Sequence, residues 1–182
     1  PECSYLSPNN FLWLALRTKG GNRPVASVCA RIFDGDFLED FTYTGRLWYD
    51  KKPVPIPDFH IVYPDDAPKI TGTVAYHGGL YVNHEFRGRG IARVFPRLLI
   101  ALMSKMFRAD WHVCFQLQGQ ANGYADRVYG YTACPLCLTN VVRPGASSRH
   151  KSWLCYISGD NSLRLHEPFV DHGNDMDRLP TR

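Results

Sequence analysis

The feature that most constrains this chain is the segment 80–106, which reads LYVNHEFRGRGIARVFPRLLIALMSKM. It opens with the strand-like residues Leu80, Tyr81 and Val82 and then passes through a turn that contains Gly88 and Gly90. After the turn, apolar residues recur at the spacing of one helix face, namely Ile91, Val94, Phe95, Leu98, Leu99, Leu102 and Met106. The segment therefore predicts a strand, a glycine turn and a helix in direct succession.

The turn between this strand and this helix has the properties of a phosphate site. The first backbone N–H groups of a helix have no partner within the helix, and the helix dipole is positive at that end. Glycine lets an anion approach the backbone closely, and Arg87, Arg89 and Arg93 add positive charge. We expect a phosphate or pyrophosphate group to bind here.

The residues of the turn distinguish between kinds of phosphate ligand. A P-loop needs Lys and then Ser or Thr after its last glycine, but Ile91 and Ala92 follow Gly90. A dinucleotide fingerprint needs a third glycine where Arg93 stands. The pattern Arg-x-x-Gly-x-Ala instead resembles the acyl-CoA pyrophosphate loop of the GCN5-related N-acetyltransferases. The resemblance implies that acetyl-CoA contacts Leu80, Tyr81, Val82, Arg87, Gly88, Arg89, Gly90, Ile91 and Ala92.

A second motif follows the predicted helix. Residues 112–117, HVCFQL, predict a short strand, and Asn122-x-x-Ala125-x-x-x-Tyr129 comes after it. This resembles the next element of the family, in which the Asn contacts the pantetheine arm and the Tyr protonates the departing CoA thiolate. The resemblance covers residues 71–131, about a third of the chain. It implies an α/β (α+β) fold, with a mixed, mostly antiparallel central sheet, helices on both faces and a splayed strand pair that holds acyl-CoA.

The resemblance also implies an activity, the direct transfer of an acetyl group from acetyl-CoA to a primary amine. Tyr129 is the expected acid for the thiolate, with Tyr131 as the alternative. His77 is the expected base, because the ordinary pKa of histidine lies near neutral pH. A non-catalytic acyl-CoA-binding module, as a sensor or a structural domain, is the alternative function. The sequence leaves open both the class of the amine acceptor and the formation of a homodimer.

Strand patterns occur in four further segments, residues 11–17, 24–33, 136–142 and 153–157. The first two predict a hairpin and the last two predict a terminal antiparallel pair. Gly78 and Gly79 interrupt the strand pattern of residues 71–82 and predict a β-bulge. We expect a single acyltransferase domain over residues 1–158 and a polar C-terminal tail over residues 159–182.

Composition bears on the expected ligands, the cellular compartment and metal binding. The net charge of +4 fits an anionic cofactor and is too weak to indicate nucleic acid, and no apolar run has the length of a membrane span. The six cysteines show no regular disulfide framework, which predicts a reducing compartment, the cytoplasm. Cys134, Cys137, His150 and Cys155 are residue types that bind zinc, but their apolar neighbours favour buried free thiols. We therefore expect no metal.

Overall fold

The computed structural model describes residues 7, 9–21, 23–42, 47, 60–61, 63–117, 128–141 and 150–166. These residues form a sheet with helices packed against it. The strands are β1 (Phe11–Arg17), β2 (Pro24–Asp36), β3 (His60–Ile61), β4 (Thr71–Val82), β5 (Trp111–Leu117), β6 (Leu136–Val141) and β7 (His150–Ser158). The helices are α1 (Ile91–Phe107) and α2 (Gly159–His166), and short helical turns occupy Phe37–Thr42 and His84–Phe86.

The strands pair in the order β1-β2-β4-β5-β7-β6-β3. Within the described sheet, β4 and β5 form the one parallel pair, and every other neighbouring pair is antiparallel. Parallel neighbours need a crossover connection, and α1 lies in the connection between β4 and β5. This confirms the prediction of a mixed, mostly antiparallel sheet.

Adjacent residues of β4 face opposite sides of the sheet and belong to different apolar cores. Val74 packs with buried side chains of the helical turn Phe37–Thr42, including Phe37 and Phe41. Ala75 packs with buried side chains of α1, including Leu99. Because side chains alternate along a strand, helical segments cover both faces, as the resemblance implied.

The two hairpin predictions and the bulge prediction are confirmed. β1 pairs with β2 and β6 pairs with β7, both antiparallel. Between β2 and β4, Ser27 lies opposite Tyr81 while Cys29 lies opposite Gly78, so β4 carries one extra residue. Gly79 within this bulge has a φ angle of 63°, a left-handed conformation that favours glycine.

Helix α1 begins where the sequence predicts. Gly90 is its N-cap residue, with a left-handed φ angle of 75° and no side-chain cap hydrogen bond. Pro96 is buried inside the helix. Because proline has no backbone N–H, the helical hydrogen bond to the carbonyl of Ala92 is absent there.

The first part of the expected polar tail, residues 159–166, forms the helix α2. The backbone N–H of Gly159 donates to the carbonyl oxygen of Asp110 over 2.7 Å, and Ser162 is fully buried. A side chain at position 159 would collide with the carbonyl oxygen of Ala109. Because this segment is strongly polar, the sequence does not indicate that Ser162 faces the interior.

The cysteine prediction is corrected in part. Cys134 and Cys155 are joined by a disulfide, so neither is a free thiol, whereas Cys29 and Cys114 are free. The side chains of Cys137 and His150 lie outside the described part of the chain. Among the side chains that are described, no group of three or more His, Cys, Asp or Glu is placed to hold a metal ion. The cytoplasmic location stays a prediction.

Membrane-spanning helices need both length and an apolar composition. Neither α1 nor α2, the helices of the described residues, meets both requirements.

Candidate active site

The parallel strands β4 and β5 separate soon after they meet. Their register pairs Val74 with Trp111, Ala75 with His112 and Tyr76 with Val113. Beyond these pairs both strands continue, β4 as far as Val82 and β5 as far as Leu117, without pairing to each other. The β5-facing edge of β4 is therefore open to a ligand from His77 onward, within the described part of the sheet.

A cleft of about 290 Å³ lies at this separation. Its walls come from β2, β4, α1, β5 and the segment before β6, and its lining residues are Val28, His77, Gly78, Gly79, Leu80, Pro96, Cys114, Phe115, Gln116, Tyr129 and Tyr131. The cleft thus brings the expected base, His77, together with the expected acid, Tyr129, and its alternative, Tyr131.

The glycine turn leads from the end of β4 into α1. Gly88 and Gly90 both have left-handed φ angles, 77° and 75°, and no atom lies within 4 Å of the position a side chain would take at either residue. In the described structure, no backbone N–H from Gly88 to Ala92 donates to another residue. The turn therefore presents free N–H groups at the positive end of α1, the arrangement that binds phosphate groups.

The charged side chains beside the turn have defined positions. Arg87 Nε donates to the carbonyl oxygen of Val82 over 3.2 Å, and the Arg89 guanidinium lies 5.2 Å from the centre of the Phe86 ring. Glu85 is paired with Arg23 over 2.6 Å, and this pairing lowers the pKa of the Glu85 carboxyl. The Glu85 carboxylate is thereby held by Arg23, the residue before β2, which reduces the repulsion of an anion by Glu85.

The interior wall of the cleft contains a hydrogen-bonded tyrosine and histidine. The Tyr131 hydroxyl lies 3.0 Å from His77 Nδ1, and His77 Nε2 lies 3.2 Å from Nδ1 of His112. All three side chains are buried. The fold causes this contact because His77 and His112 stand on adjacent parallel strands, with the small Ala75 opposite His112.

Two further polar side chains line the cleft on β5. Burial raises the pKa of the Cys114 thiol to about 11, and Gln116 Nε2 donates to Cys114 Sγ over 3.6 Å. Burial also raises the pKa of Tyr131 well above its ordinary value. Both groups are therefore protonated at neutral pH. Gln116 is buried, and in the described structure its Oε1 atom accepts no hydrogen bond.

The segment that carries Tyr129 is fixed to α1. Arg97 Nε donates to the carbonyl oxygen of Val128 over 3.2 Å, and Tyr129 packs beside the cluster of Tyr131 and Cys155. The predicted pantetheine contact, Asn122, lies outside the described residues.

The predicted cofactor contacts on β4 divide between the two faces of the strand. Leu80 lines the cleft and packs with Val82 towards α1, whereas Tyr81 is 48% exposed on the opposite face. The contact between His77 and His112 could not be predicted, because the two residues are 35 positions apart. The alternating polar pattern of HVCFQL was the available signal that His112, Cys114 and Gln116 share a face.

No protein-family model matches the chain, and no curated protein sequence matches it. Among solved structures, the complex of Arabidopsis thaliana NAA60 with acetyl-CoA is similar at 16% identity, with a TM-score of 0.47 over 78% of this chain and 70% of that one. The complex of the same protein with a bisubstrate analogue is similar at 16% identity, with a TM-score of 0.50 over 82% of this chain and 75% of that one. The chain has the fold of the GCN5-related N-acetyltransferases.

Proposed function

We propose that this protein is an N-acetyltransferase that moves an acetyl group directly from acetyl-CoA to a primary amine. The observation that carries the proposal is the open edge of β4. It runs from the glycine turn at Gly88 and Gly90 to a cleft that contains His77, Tyr129 and Tyr131. The similar NAA60 structure with a bisubstrate analogue supports a reaction of this kind between two substrates.

The donor binds along β4. Its pyrophosphate takes the free N–H groups of the turn from Gly88 to Ala92, where Arg87 and Arg89 add charge. Its pantetheine arm then follows the β5-facing edge of β4 at residues 80–82, where β4 is not paired to β5, since an open strand edge offers N–H and C=O groups to an extended chain. This path brings the thioester into the cleft.

The cleft supplies the groups for the transfer. The amine nitrogen attacks the thioester carbonyl, and the adjacent pair of His77 and Tyr131 takes up its proton. Tyr129 donates a proton to the departing thiolate. The bond from carbon to nitrogen forms as the bond from carbon to sulfur breaks, and holding the two substrates side by side supplies a large part of the rate.

Gln116 is the contact that we assign to the substrates. Its Oε1 atom is a buried acceptor without a partner among the described residues, and such an atom costs about 1–3 kcal/mol until a donor reaches it. An N–H group of the bound amine or of the pantetheine arm satisfies it. The acceptor substrate is a molecule whose primary amine enters the cleft between β4 and β5, where its N–H can reach Gln116.

A screen of amines with acetyl-CoA tests this function. The purified protein is incubated with acetyl-CoA and with small amines, lysine peptides and peptides with free N-termini, and the release of free thiol is measured. We expect turnover with at least one amine class and none without an amine. Binding of acetyl-CoA by calorimetry without turnover for any class would instead favour the non-catalytic acyl-CoA-binding module.

A further inference from the structure

The hydrogen bonds of the cleft continue through the core to α1 and α2. His112 Nε2 lies 2.7 Å from Ser104 Oγ on α1, and Ser104 Oγ lies 2.7 Å from Ser162 Oγ on α2. The Ser162 hydroxyl donates to the carbonyl oxygen of Gly159 over 2.7 Å. With the contacts of His77 to Tyr131 and His112, these side chains make one continuous chain of hydrogen bonds.

The two ends of this chain lie at different cavities. Tyr131 and His77 line the cleft between β4 and β5. Ser104 lines a second cleft, of about 650 Å³, beside α2 and the end of α1, together with Lys105, Asp110 and Asp160. The side chains between the two clefts are buried, with exposed fractions from 0% to 5%.

We propose that Tyr131, His77, His112 and Ser104 form a proton relay that joins the acetyl-transfer cleft to the second cleft, with Ser162 holding Ser104 in line. The proposal rests on the proposed function. Acyl-CoA on the open edge of β4 and the amine beside it close the first cleft to bulk water. The relay gives the transferred protons a path that the substrates do not block.

The donors and acceptors can be arranged in one direction along the whole chain. Tyr131 donates to His77 Nδ1, His77 Nε2–H donates to His112 Nδ1, and His112 Nε2–H donates to Ser104 Oγ. Each imidazole then carries its proton on Nε2 and accepts at Nδ1, which the neutral ring allows. In the opposite arrangement both histidine protons are on Nδ1 and the Ser104 hydroxyl donates to His112 Nε2. The contact between the serines is then kept only when Ser162 donates to Ser104 in place of the carbonyl oxygen of Gly159.

In one turnover the relay carries one proton from the acetyl-transfer cleft to the second cleft and returns another. The amine, entering in its neutral form, gives a proton to the Tyr131 oxygen as the bond from nitrogen to carbon forms. Each member of the relay passes its own proton on. The Ser104 hydroxyl, which donates to the carbonyl oxygen of Ile100 over 3.0 Å in the resting state, releases one proton to water in the second cleft. Tyr129 protonates the sulfur as the bond from carbon to sulfur breaks. The reverse shift draws one proton from that water back to the Tyr131 oxygen. Tyr131 then gives its own proton across the cleft that both tyrosines line to the Tyr129 oxygen, which lost a proton to the sulfur.

Kinetics of Ser104→Ala test the relay. We expect kcat to fall roughly tenfold or more, because an acid–base pathway is interrupted, while KM for acetyl-CoA is unchanged. The dependence of kcat on the deuterium fraction of the solvent should be curved for the wild type, because several protons move together, and linear for the variant. Ser104→Thr, which keeps a hydroxyl, should restore kcat. Ser162→Ala, at the other end of the serine pair, should lower kcat with KM unchanged.

Ser152→Ala is the matched control, since Ser152 is a buried serine on β7 outside the relay. It should leave kcat unchanged. Wild-type turnover with equal kcat in Ser104→Ala would overturn the relay and leave the proposed function standing. Absence of wild-type turnover with every amine would overturn both.

Nitrogen NMR of the histidine rings gives a test that is independent of turnover. We expect His77 and His112 to carry their protons on the same ring position, both on Nε2 or both on Nδ1. Ser104→Ala should change the tautomer of His112. Opposite tautomers in the wild type would break the continuity of the chain and overturn the proposal.

Discussion

The turn at residues 87–92 and the relay behind the cleft are opposite kinds of functional structure. The turn is exposed and made of backbone N–H groups with arginine side chains around them. The relay is buried and made of hydroxyl and imidazole groups that touch one another over 2.7–3.2 Å. Attraction at the turn acts over a Debye length and is screened by salt, whereas hydrogen bonds depend on direction and contact. Donor binding and proton transfer should therefore respond to different changes.

The largest effect on donor binding alone is expected from Gly90→Asp in the turn. The new carboxylate repels the pyrophosphate and covers the N–H groups, so CoA affinity should fall by roughly a hundredfold or more, the loss of two charge-assisted hydrogen bonds. Gly20→Asp is the control, because Gly20 has the same φ angle of 75° and the same open surroundings. Calorimetric titration with CoA measures both, and similar affinities for the two variants would remove the turn from the donor site.

Substitutions in the cleft should lower kcat and leave the affinity for acetyl-CoA nearly unchanged. Tyr129→Phe removes a proton donor that acts mainly in the transition state, so kcat should fall about a hundredfold while the Kd for acetyl-CoA changes little. Steady-state rates and calorimetry together check the prediction. Tyr131→Phe provides the comparison, since it interrupts the relay at its first member. A variant at Tyr129 that turned over like the wild type would assign thiolate protonation to another group.

The region from strand to turn to helix could be predicted from sequence because its signals are local. Glycines that require left-handed φ angles, the apolar spacing of α1 and the double glycine of β4 each act within a few residues. The relay could not be predicted, because its members come from β4, α1, β5 and α2 and meet only in the folded sheet. Ser104 and Ser162 look like ordinary small helix residues until that packing exists.

The helix α2 was missed for a related physical reason. Its sequence, GDNSLRLH, is polar and begins with a glycine, so neither helix propensity nor an apolar stripe marks it. Tertiary contacts of Gly159 with Asp110 and of Ser162 with Ser104 hold it instead. The position of Asn122 in the second motif lies outside the described residues, so its contact with pantetheine stays a prediction.

A smaller effect, on affinity alone, is expected from salt. Raising the ionic strength from about 0.01 M to about 1 M shortens the Debye length from roughly 30 Å to roughly 3 Å. The Kd for CoA should therefore rise several-fold, because the arginines of the turn are exposed. The kcat at saturating acetyl-CoA should stay nearly constant, since the relay carries no formal charge. A kcat that fell in parallel with affinity would contradict the separation of the two regions.

The smallest effect is expected from the buried thiol at the cleft. Burial raises the pKa of Cys114 from 9.0 to about 11, so the unfolded chain loses this proton at lower pH than the folded protein does. Stability from this group is complete below pH 9 and is lost as the pH rises towards about 11. Urea unfolding of the wild type and of Cys114→Ala checks this, and the wild type should lose on the order of 1 kcal/mol more over that range. Equal losses of unfolding free energy in the two proteins would show that Cys114 does not cause the pH dependence.

The extra residue in β4 determines which side chains the strand offers to each face. A regular strand assigns its residues alternately, so that Ala75, His77, Gly79 and Tyr81 would share one side. The bulge at Gly79 inverts this parity, and beyond it Leu80 and Val82 fall on the side of α1 while Tyr81 falls on the other. If residues 71–82 formed a regular strand with Gly79 kept in it, Tyr81 would turn towards α1, and Leu80 and Val82 would be exposed. The bulge therefore places His77, Leu80 and Val82 on the same side of the sheet.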